Sequence, residues 1–260
     1  MLFRSVLNKI KEILSLTKFD FKQRYNSTNL GSLWYLVTPL VMIFIYTVIF
    51  SDFMNARLGI NSDKWSYSLY LVPGLFSFAA FQNTILNICD VPTQKAGVLK
   101  KISIPLYAFE ISPTIIQIII FSISMILGVI FLSIVSNLNV QILLIIPMMI
   151  LQSIFAFALG VILSILSIFI KDIKEGLPIF LQLLFWATPI VYPYQIIEQK
   201  LPILLEINPL YYFIKFYQKI FLSKNVEYSD FITPFILSMI TLLIAAYLYK
   251  KLISAIKDMY

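Results

Sequence analysis

The sequence contains no histidine and only one cysteine, Cys89, among its 260 residues. Without histidine there is no histidine-based catalysis, and one cysteine forms neither an internal disulfide nor a zinc site of several thiolates. None of the seven glycines is followed by lysine, so a phosphate-binding loop of the Walker A type is also missing. We therefore predict no catalytic residue, no metal site and no bound cofactor, and any ATP, with its Mg²⁺, would have to be handled by another chain.

Charged residues are also scarce. They make up 13% of the chain, whereas hydrophobic residues make up 60% and the mean hydropathy is +0.88. A typical soluble domain is about 45–50% apolar, so this chain has too little polar material to cover a globule in water. The composition predicts an all-α integral membrane protein with one transmembrane domain over residues 1–260.

Stretches without charged residues predict the membrane crossings, because each crossing needs about 20 apolar residues. The stretch 111–170 has 60 residues without a charge, enough for two helices, and Ser136-Asn137-Leu138-Asn139 is the natural turn within it. Six transmembrane helices are predicted, from the charge-free stretches 25–51, 65–89, 111–170 (two helices), 176–197 and 231–249.

The distribution of basic residues predicts the orientation. With six crossings both termini share one side, and that side holds fourteen of the twenty Lys and Arg residues with seven acids, against six and six on the other. Basic segments near span ends stay in the cytoplasm, so both termini are predicted to be cytoplasmic. The net charge of +7 then lies on the inner face, where it suits anionic lipids, although retention during insertion explains the same bias.

Two segments outside these stretches have distinctive patterns. Residues 1–25 form an amphipathic helix, with an apolar stripe from Phe3 to Leu14, that is expected to lie on the inner membrane surface. Segment 189–212 is interrupted by four prolines and is interpreted as a re-entrant outer gate between helices 5 and 6, or else as an irregular outer loop. A second amphipathic helix follows, with Phe213, Phe216, Tyr217 and Ile220 on one side and Lys215, Gln218 and Lys219 on the other.

Four groups of residues, in order along the chain, resemble the permease subunits of ABC-2 type exporters of bacterial polysaccharides. Arg24-Tyr25 is followed by Leu30-Gly31, Leu33-Trp34 and Pro39, and residues 94–101 (Gln-Lys-Ala-Gly-Val-Leu-Lys-Lys) precede Ile104-Pro105. Residues 169–173 (Phe-Ile-Lys-Asp-Ile) lead through Pro178 to residues 186–193 (Trp-Ala-Thr-Pro-Ile-Val-Tyr-Pro), and Asn208-Pro209-Leu210 comes last. Lys171 stands where many members carry arginine.

The resemblance implies a homodimer in the bacterial inner membrane, bound to two copies of a separate ATPase. It further implies export of a lipid-linked glycan on undecaprenyl diphosphate through a path between the two permease chains, with O-antigen as the expected polymer. Segment 90–104 would be the cytoplasmic coupling region, and Lys95, Lys100 and Lys101 are candidates for docking the ATPase. An ordinary solvated loop is the alternative interpretation of this segment.

Two sets of residues are candidates for contact with the substrate. Lys18, Lys22 and Arg24 could donate charge-assisted hydrogen bonds to a diphosphate, although anchoring to anionic lipids would use the same cations. Aromatic rings suit the CH-rich faces of sugars, although aromatic residues also anchor proteins at the membrane interface. The candidates for lining the path are Trp34, Tyr35, Phe76, Phe81, Trp186 and Tyr192.

Other functions are compatible with the sequence. Within the same fold the alternatives are export of capsule, teichoic acid or a small amphiphile. A membrane-embedded enzyme acting on lipid-linked sugars would need paired acids, and the close acidic pair Asp172 and Glu175 alternates with lysines as a solvated cluster does. Nothing in the sequence indicates a nucleic-acid partner.

Overall fold

A computed structural model describes residues 2–25, 29–49, 65–99, 105–136 and 138–259, with side chains omitted for residues 2–10, 24–25, 99 and 253–259. Within these ranges the chain is helical and has no strand, as the composition predicts. The α-helices are α1 (Leu2–Tyr25), α2 (Trp34–Tyr46), α3 (Ser66–Gln94), α4 (Ala96–Leu99), α5 (Leu106–Val135), α6 (Ile145–Phe169), α7 (Asp172–Ala187), α8 (Tyr194–Lys200), α9 (Pro202–Ile207), α10 (Pro209–Phe221) and α11 (Ser229–Met259), and short 3₁₀ turns precede α2 and α6.

Five helical segments in the described part are long and apolar enough to cross a membrane, and each coincides with a predicted crossing. The turn predicted around 136–139 separates two of them. The count of six stays a prediction, because α7 has only 16 residues and rises about 24 Å. The five segments are Gly31–Ile49, Ser66–Gln94, Leu106–Val135, Val140–Phe169 and Ser229–Leu252.

Helix α7 nevertheless connects the two ends of the bundle. At its start the Lys174 ammonium lies 2.9 Å from the Asp90 carboxylate, near the end of α3. After it, the Pro189 carbonyl accepts a hydrogen bond from the Tyr70 hydroxyl, near the start of α3. These two positions on α3 are 20 residues, or about 30 Å, apart. Helix α7 therefore runs antiparallel to α3 and, with the residues after it, covers a similar rise.

Helix α3 is the centre of the structure. Most of its side chains are buried, and it packs against α5, α6 and α10. The outer faces of the other long helices instead expose large apolar side chains, such as Phe44, Ile134 and Leu243. Such side chains are stable against lipid tails and costly against water, so the surface fits a bilayer.

Helices α3 and α6 are joined by buried hydrogen bonds and by a close approach at a glycine. Gln152 accepts a hydrogen bond from the Ser77 hydroxyl at 2.9 Å and donates one to the Ser77 carbonyl at 2.7 Å. Further along, Gly160 lies directly against Ile88. A small residue lets two helix backbones approach closely in a membrane, and paired polar groups fix their register.

Prolines divide the region after α7 into helices. Pro193 precedes α8, and Pro202 and Pro209 occupy the first positions of α9 and α10, where a missing N–H costs nothing. The sequence pattern places Gln218 on the polar side of α10, and this assignment is wrong. Gln218 is buried with the apolar stripe, because its amide is bound inside the protein.

Candidate functional site

At one end of the bundle, Asp20 joins three helices. Its carboxylate lies 2.9 Å from the Lys95 ammonium, at the junction of α3 and α4, and accepts a hydrogen bond of 2.7 Å from the Ser112 hydroxyl of α5. The side chain of Asp20 is about four-fifths buried and that of Lys95 about three-quarters buried. The segment before α4 is thus tied to the amphipathic helix α1.

A cleft of about 350 Å³ opens beside this ion pair. One part of its wall is polar and comes from α1 and α3, and the other is apolar and comes mainly from α5. Its lining residues are Asp20, Gln23, Asn87, Val91, Gln94, Lys95, Phe109, Pro113 and Ile116. We call this the inner cleft, after the side on which the sequence predicts these helix ends to lie.

The cationic candidates on α1 lie apart from the inner cleft. Lys18 and Lys22 are exposed and one helical turn apart, so their side chains extend from the same face of α1. The side chain of Arg24 lies outside the described residues. The structure therefore brings together two of the three candidates and tests none of their proposed contacts.

Of the docking candidates only Lys95 is described. The Lys95 ammonium forms an ion pair with Asp20, a contact within the chain that the sequence did not indicate. Lys100 and Lys101 lie outside the described residues. A second cleft, of about 490 Å³, runs from the end of α3 and α4 to the start of α7. It is lined by Pro92, Thr93, Ala96, Ser167, Ile168, Lys171, Asp172, Lys174 and Glu175.

Glu110 is a buried acid that the sequence analysis did not single out. It lies on α5, is fully buried, and accepts a hydrogen bond of 2.6 Å from the Ser164 hydroxyl of α6. An ionisable side chain buried at membrane depth is costly and marks a candidate functional position. Its place one residue before the long charge-free stretch was the available signal.

At the other end, the backbone after α7 is held by side chains from distant helices. The Tyr70 hydroxyl donates to the carbonyls of Pro189 and Tyr192 at 2.9 and 3.0 Å, and the Gln218 amide donates to the same Pro189 carbonyl at 3.1 Å. Tyr67 bonds similarly to the Val191 carbonyl. Backbone groups outside a helix are tolerated in a membrane protein when protein groups satisfy them in this way.

Asn208 holds the two ends of segment 189–212 close together. Its side-chain amide donates to the Thr188 hydroxyl at 2.7 Å, and its side-chain oxygen accepts from the Leu210 N–H at 3.1 Å, which caps α10. The beginning and the end of segment 189–212 are therefore joined across 20 residues. A re-entrant element and an irregular outer loop both leave and return to one point of the bundle, so the re-entrant gate stays a prediction.

The six aromatic candidates fall into two groups. Trp34 and Trp186 are exposed, and Tyr192 is half-buried with its hydroxyl bonded to the Trp186 carbonyl. The other three rings are buried within the chain: Tyr35 stacks on Phe21, Phe81 stacks on Phe155, and Phe76 packs into the same core. In this conformation only the first group has surface that a passing substrate could contact.

The described residues contain no group of three or more acidic or cysteine side chains placed to hold a metal ion. Cys89 is buried in the core with a free thiol. The arrangement is therefore that of a polar cleft and an ion pair at one end, and a folded-back segment at the other, joined by apolar helices.

Residues 11–222 match the family described as ABC-2 type transporter. The chain is 28% identical to a Klebsiella pneumoniae protein named O-antigen export system permease protein RfbA, across 89% of this chain and 90% of that protein. A second Klebsiella pneumoniae protein of that name is 25% identical across 92% and 91%. One of the same name from Myxococcus xanthus is 22% identical across 84% and 83%.

Proposed function

The chain belongs to the ABC-2 type transporter family, and we propose that it is the membrane subunit of an exporter of O-antigen polysaccharide. A member of this family is a transport subunit rather than an enzyme, and it works with an ABC ATPase as partner. Energy from ATP thus enters through another chain. Because several long apolar helices are present, the chain is a multi-pass membrane protein.

One observation carries the choice of O-antigen. The similarity to the two Klebsiella O-antigen export permeases extends over about nine-tenths of both partners in each comparison. It therefore includes both ends of the bundle and is not limited to a shared element such as one helix pair. Capsule, teichoic acid and small amphiphiles, the alternatives from sequence, have no comparable support.

The proposed assembly is a homodimer with two ATPase subunits in the inner membrane, with both termini in the cytoplasm. The excess of basic residues on one side supports this orientation. The antiparallel course of α7 relative to α3 supports an even number of crossings, because α7 starts and ends at opposite ends of the bundle. The coupling region would then comprise the end of α3, α4 and the residues up to 104.

The proposed substrate is the O-antigen chain on an undecaprenyl diphosphate lipid. Lys18 and Lys22 support this, because two exposed ammonium groups on one face of α1 could both bind a diphosphate. Arg24 is the third member of the proposed headgroup site. The folded-back segment 189–212 is the proposed outer gate, and Trp34, Trp186 and Tyr192 are the aromatic candidates with surface available for sugars.

Deletion of the gene tests the proposed function in cells. We expect surface O-antigen to disappear while lipid-linked polymer accumulates inside, because synthesis precedes export. The purified chain with its ATPase should also hydrolyse ATP faster in vesicles that contain the lipid-linked polymer. Normal surface polymer in the deletion strain would contradict the proposal.

A charge-removal variant tests the headgroup site. Replacing Lys18, Lys22 and Arg24 with Gln removes charge-assisted hydrogen bonds of about 1.5–3 kcal/mol each, so stimulation by the glycolipid should fall more than tenfold. Membrane anchoring should persist, because a surface cation contributes only about 1 kcal/mol to it. Lys250→Gln with Lys251→Gln, also exposed and basic, is the matched control. Full stimulation of the triple variant would leave these cations with lipid anchoring alone.

A further inference from the structure

The inner cleft combines chemical groups that the proposed headgroup site lacks. Asp20 and Gln23 reach it from α1, Asn87 and Gln94 reach it from α3, and Lys95 reaches it from the junction of α3 and α4. Three carboxamides, one carboxylate and one ammonium thus border a single space. Carboxamides both donate and accept hydrogen bonds, as hydroxyl groups do.

The charge of the inner cleft argues against a phosphate as its ligand. Asp20 and Lys95 form an ion pair, so the two formal charges of the wall cancel. A phosphate accepts hydrogen bonds and would meet the Asp20 carboxylate, which can only accept. A neutral ligand rich in hydroxyls can donate to the carboxylate and accept from the amides and the ammonium, so it satisfies both halves of this wall.

The size and position of the inner cleft fit part of a substrate. Its volume of about 350 Å³ lies within the range of about 300–1,000 Å³ for small-molecule sites. Gln23, which borders it, directly follows Lys22 of the proposed headgroup site on α1. Opposite faces of a helix are only about 10–12 Å apart, so a diphosphate on the lysines would hold the groups attached to it close to the cleft.

We propose that the inner cleft binds the sugar residues next to the diphosphate of the lipid-linked glycan. This inference rests on the proposed function and adds a specific subsite to it. The apolar wall from α5, with Phe109, Pro113 and Ile116, packs against the CH faces of these sugars, while the amides of α1 and α3 bind their hydroxyls.

The position of Lys95 gives the subsite a route to the ATPase. Lys95 borders the cleft, is paired with Asp20, and directly precedes α4 in the proposed coupling region. A sugar hydroxyl that bonds to the Asp20 carboxylate or to the Lys95 ammonium changes the strength of the ion pair between them. Occupation of the cleft therefore acts on the segment that meets the ATPase, and ATP hydrolysis is a suitable readout.

The first test measures ATP hydrolysis by the complete complex in phosphatidylethanolamine and phosphatidylglycerol vesicles, as lipid-linked glycan extracted from the source strain is added. Asn87→Leu with Gln94→Leu should raise the half-saturating glycolipid concentration about tenfold, because two sets of hydrogen bonds to the sugars are lost. Asn83→Leu is the matched control, since Asn83 lies one turn before Asn87 on α3 and is exposed outside the cleft.

The second test measures occupancy without ATP. Because Cys89 is the only cysteine, Cys89→Ala with Gln94→Cys gives a chain with one thiol at the cleft. Glycolipid should slow its reaction with a maleimide at least fivefold, whereas vesicles of phosphatidylglycerol alone should not. Phosphatidylglycerol also presents hydroxyls, so this arm separates a membrane headgroup from the sugars of the substrate.

The results of these tests separate the sugar subsite from the proposed function. If glycolipid stimulates the wild-type complex but the double leucine variant has the same half-saturation as wild type, the sugar subsite is refuted and the proposed function stands. If phosphatidylglycerol vesicles protect the thiol as well as glycolipid does, the cleft is a lipid headgroup site and the inference is refuted. If glycolipid neither stimulates the wild type nor protects the thiol, the proposed function fails with the inference.

Discussion

Replacement of Gly160 by alanine tests the contact that holds α3 and α6 together. A Cβ added at Gly160 would lie 2.8 Å from Ile88 Cδ1, 3.0 Å from its Cβ and 3.2 Å from its Cγ2. Rotation of the Ile88 side chain can move the outer atoms but not the Cβ, which is fixed to the backbone. Both residues are buried, so the helices themselves must separate.

The expected effect is the difference between two terms. Inserting a methyl group into a packed core costs about 1–3 kcal/mol, whereas alanine favours a helix over glycine by up to about 1 kcal/mol. Gly160→Ala should therefore lower the free energy of unfolding by about 1–2 kcal/mol. Gly176→Ala is the matched control, because no atom lies within 4 Å of its added Cβ, and this variant should be as stable as wild type or slightly more stable.

Unfolding of the purified protein in a mixed-detergent titration, followed by circular dichroism, measures both variants. A double-mutant cycle then identifies the contact. Ile88→Ala alone should cost about 2–5 kcal/mol, and its combination with Gly160→Ala should cost less than the sum by about 0.5–3 kcal/mol. If Gly160→Ala is as stable as Gly176→Ala, the approach of α3 and α6 does not depend on this glycine.

Two further predictions concern the inner end. Asp20→Asn and Lys95→Met, measured by the same unfolding assay, should be non-additive by about 1–3 kcal/mol, because each removes a charge that the other contacts; additive costs would contradict the pairing. Reversing charge at Lys100 and Lys101 to Glu should reduce recovery of the ATPase in a pull-down while membrane insertion is normal. Equal recovery with wild type would remove both lysines from the docking surface.

The crossings could be predicted from sequence because burial in lipid depends mainly on local composition. Helix α3 and helix α11 begin within two residues of the predicted boundaries at 65 and 231, where charges or polar residues flank an apolar stretch. Helix α5 differs, since it begins at Leu106 rather than 111 and includes Glu110. The prediction started this crossing after Glu110 because a charged residue is costly inside a membrane helix. In the structure Glu110 is accommodated within α5, because Ser164 on α6, 54 residues away, donates a hydrogen bond to its carboxyl group.

The stretch 176–197 shows a second difference between the predicted crossings and the structure. It is free of charge throughout, so composition predicts one continuous crossing, whereas the helix ends at Ala187. Residues 188–193 leave the helical conformation, and Tyr70 and Gln218 both donate hydrogen bonds to the Pro189 carbonyl within them. Prolines 189 and 193 indicated a break, but no local pattern could identify partners that lie 119 and 29 residues away.

The candidate sites differ in the same way, according to whether one helix or several distant helices form them. Exposed cations such as Lys18 and Lys22 can be read from a helical pattern, because one face of one helix contains them. The inner cleft cannot, because its amides come from α1 and α3, more than 60 residues apart in sequence. The sequence predicts that Lys95 docks the ATPase and does not indicate its partner Asp20, because Asp20 is distant in sequence, and only the fold shows the contact between them.

The polar contacts of α3 follow from the cost of polar groups in lipid. Tyr70 binds the folded-back segment at one end, and Asp90 and Lys95 form ion pairs with α7 and α1 at the other. Between them α3 contacts α6 through the hydrogen bonds of Ser77 with Gln152, the stacking of Phe81 on Phe155 and the close approach of Ile88 to Gly160. The contacts at the two ends lie about 30 Å apart, so one continuous helix meets α1 and α7 at one end and the segment after α7 at the other.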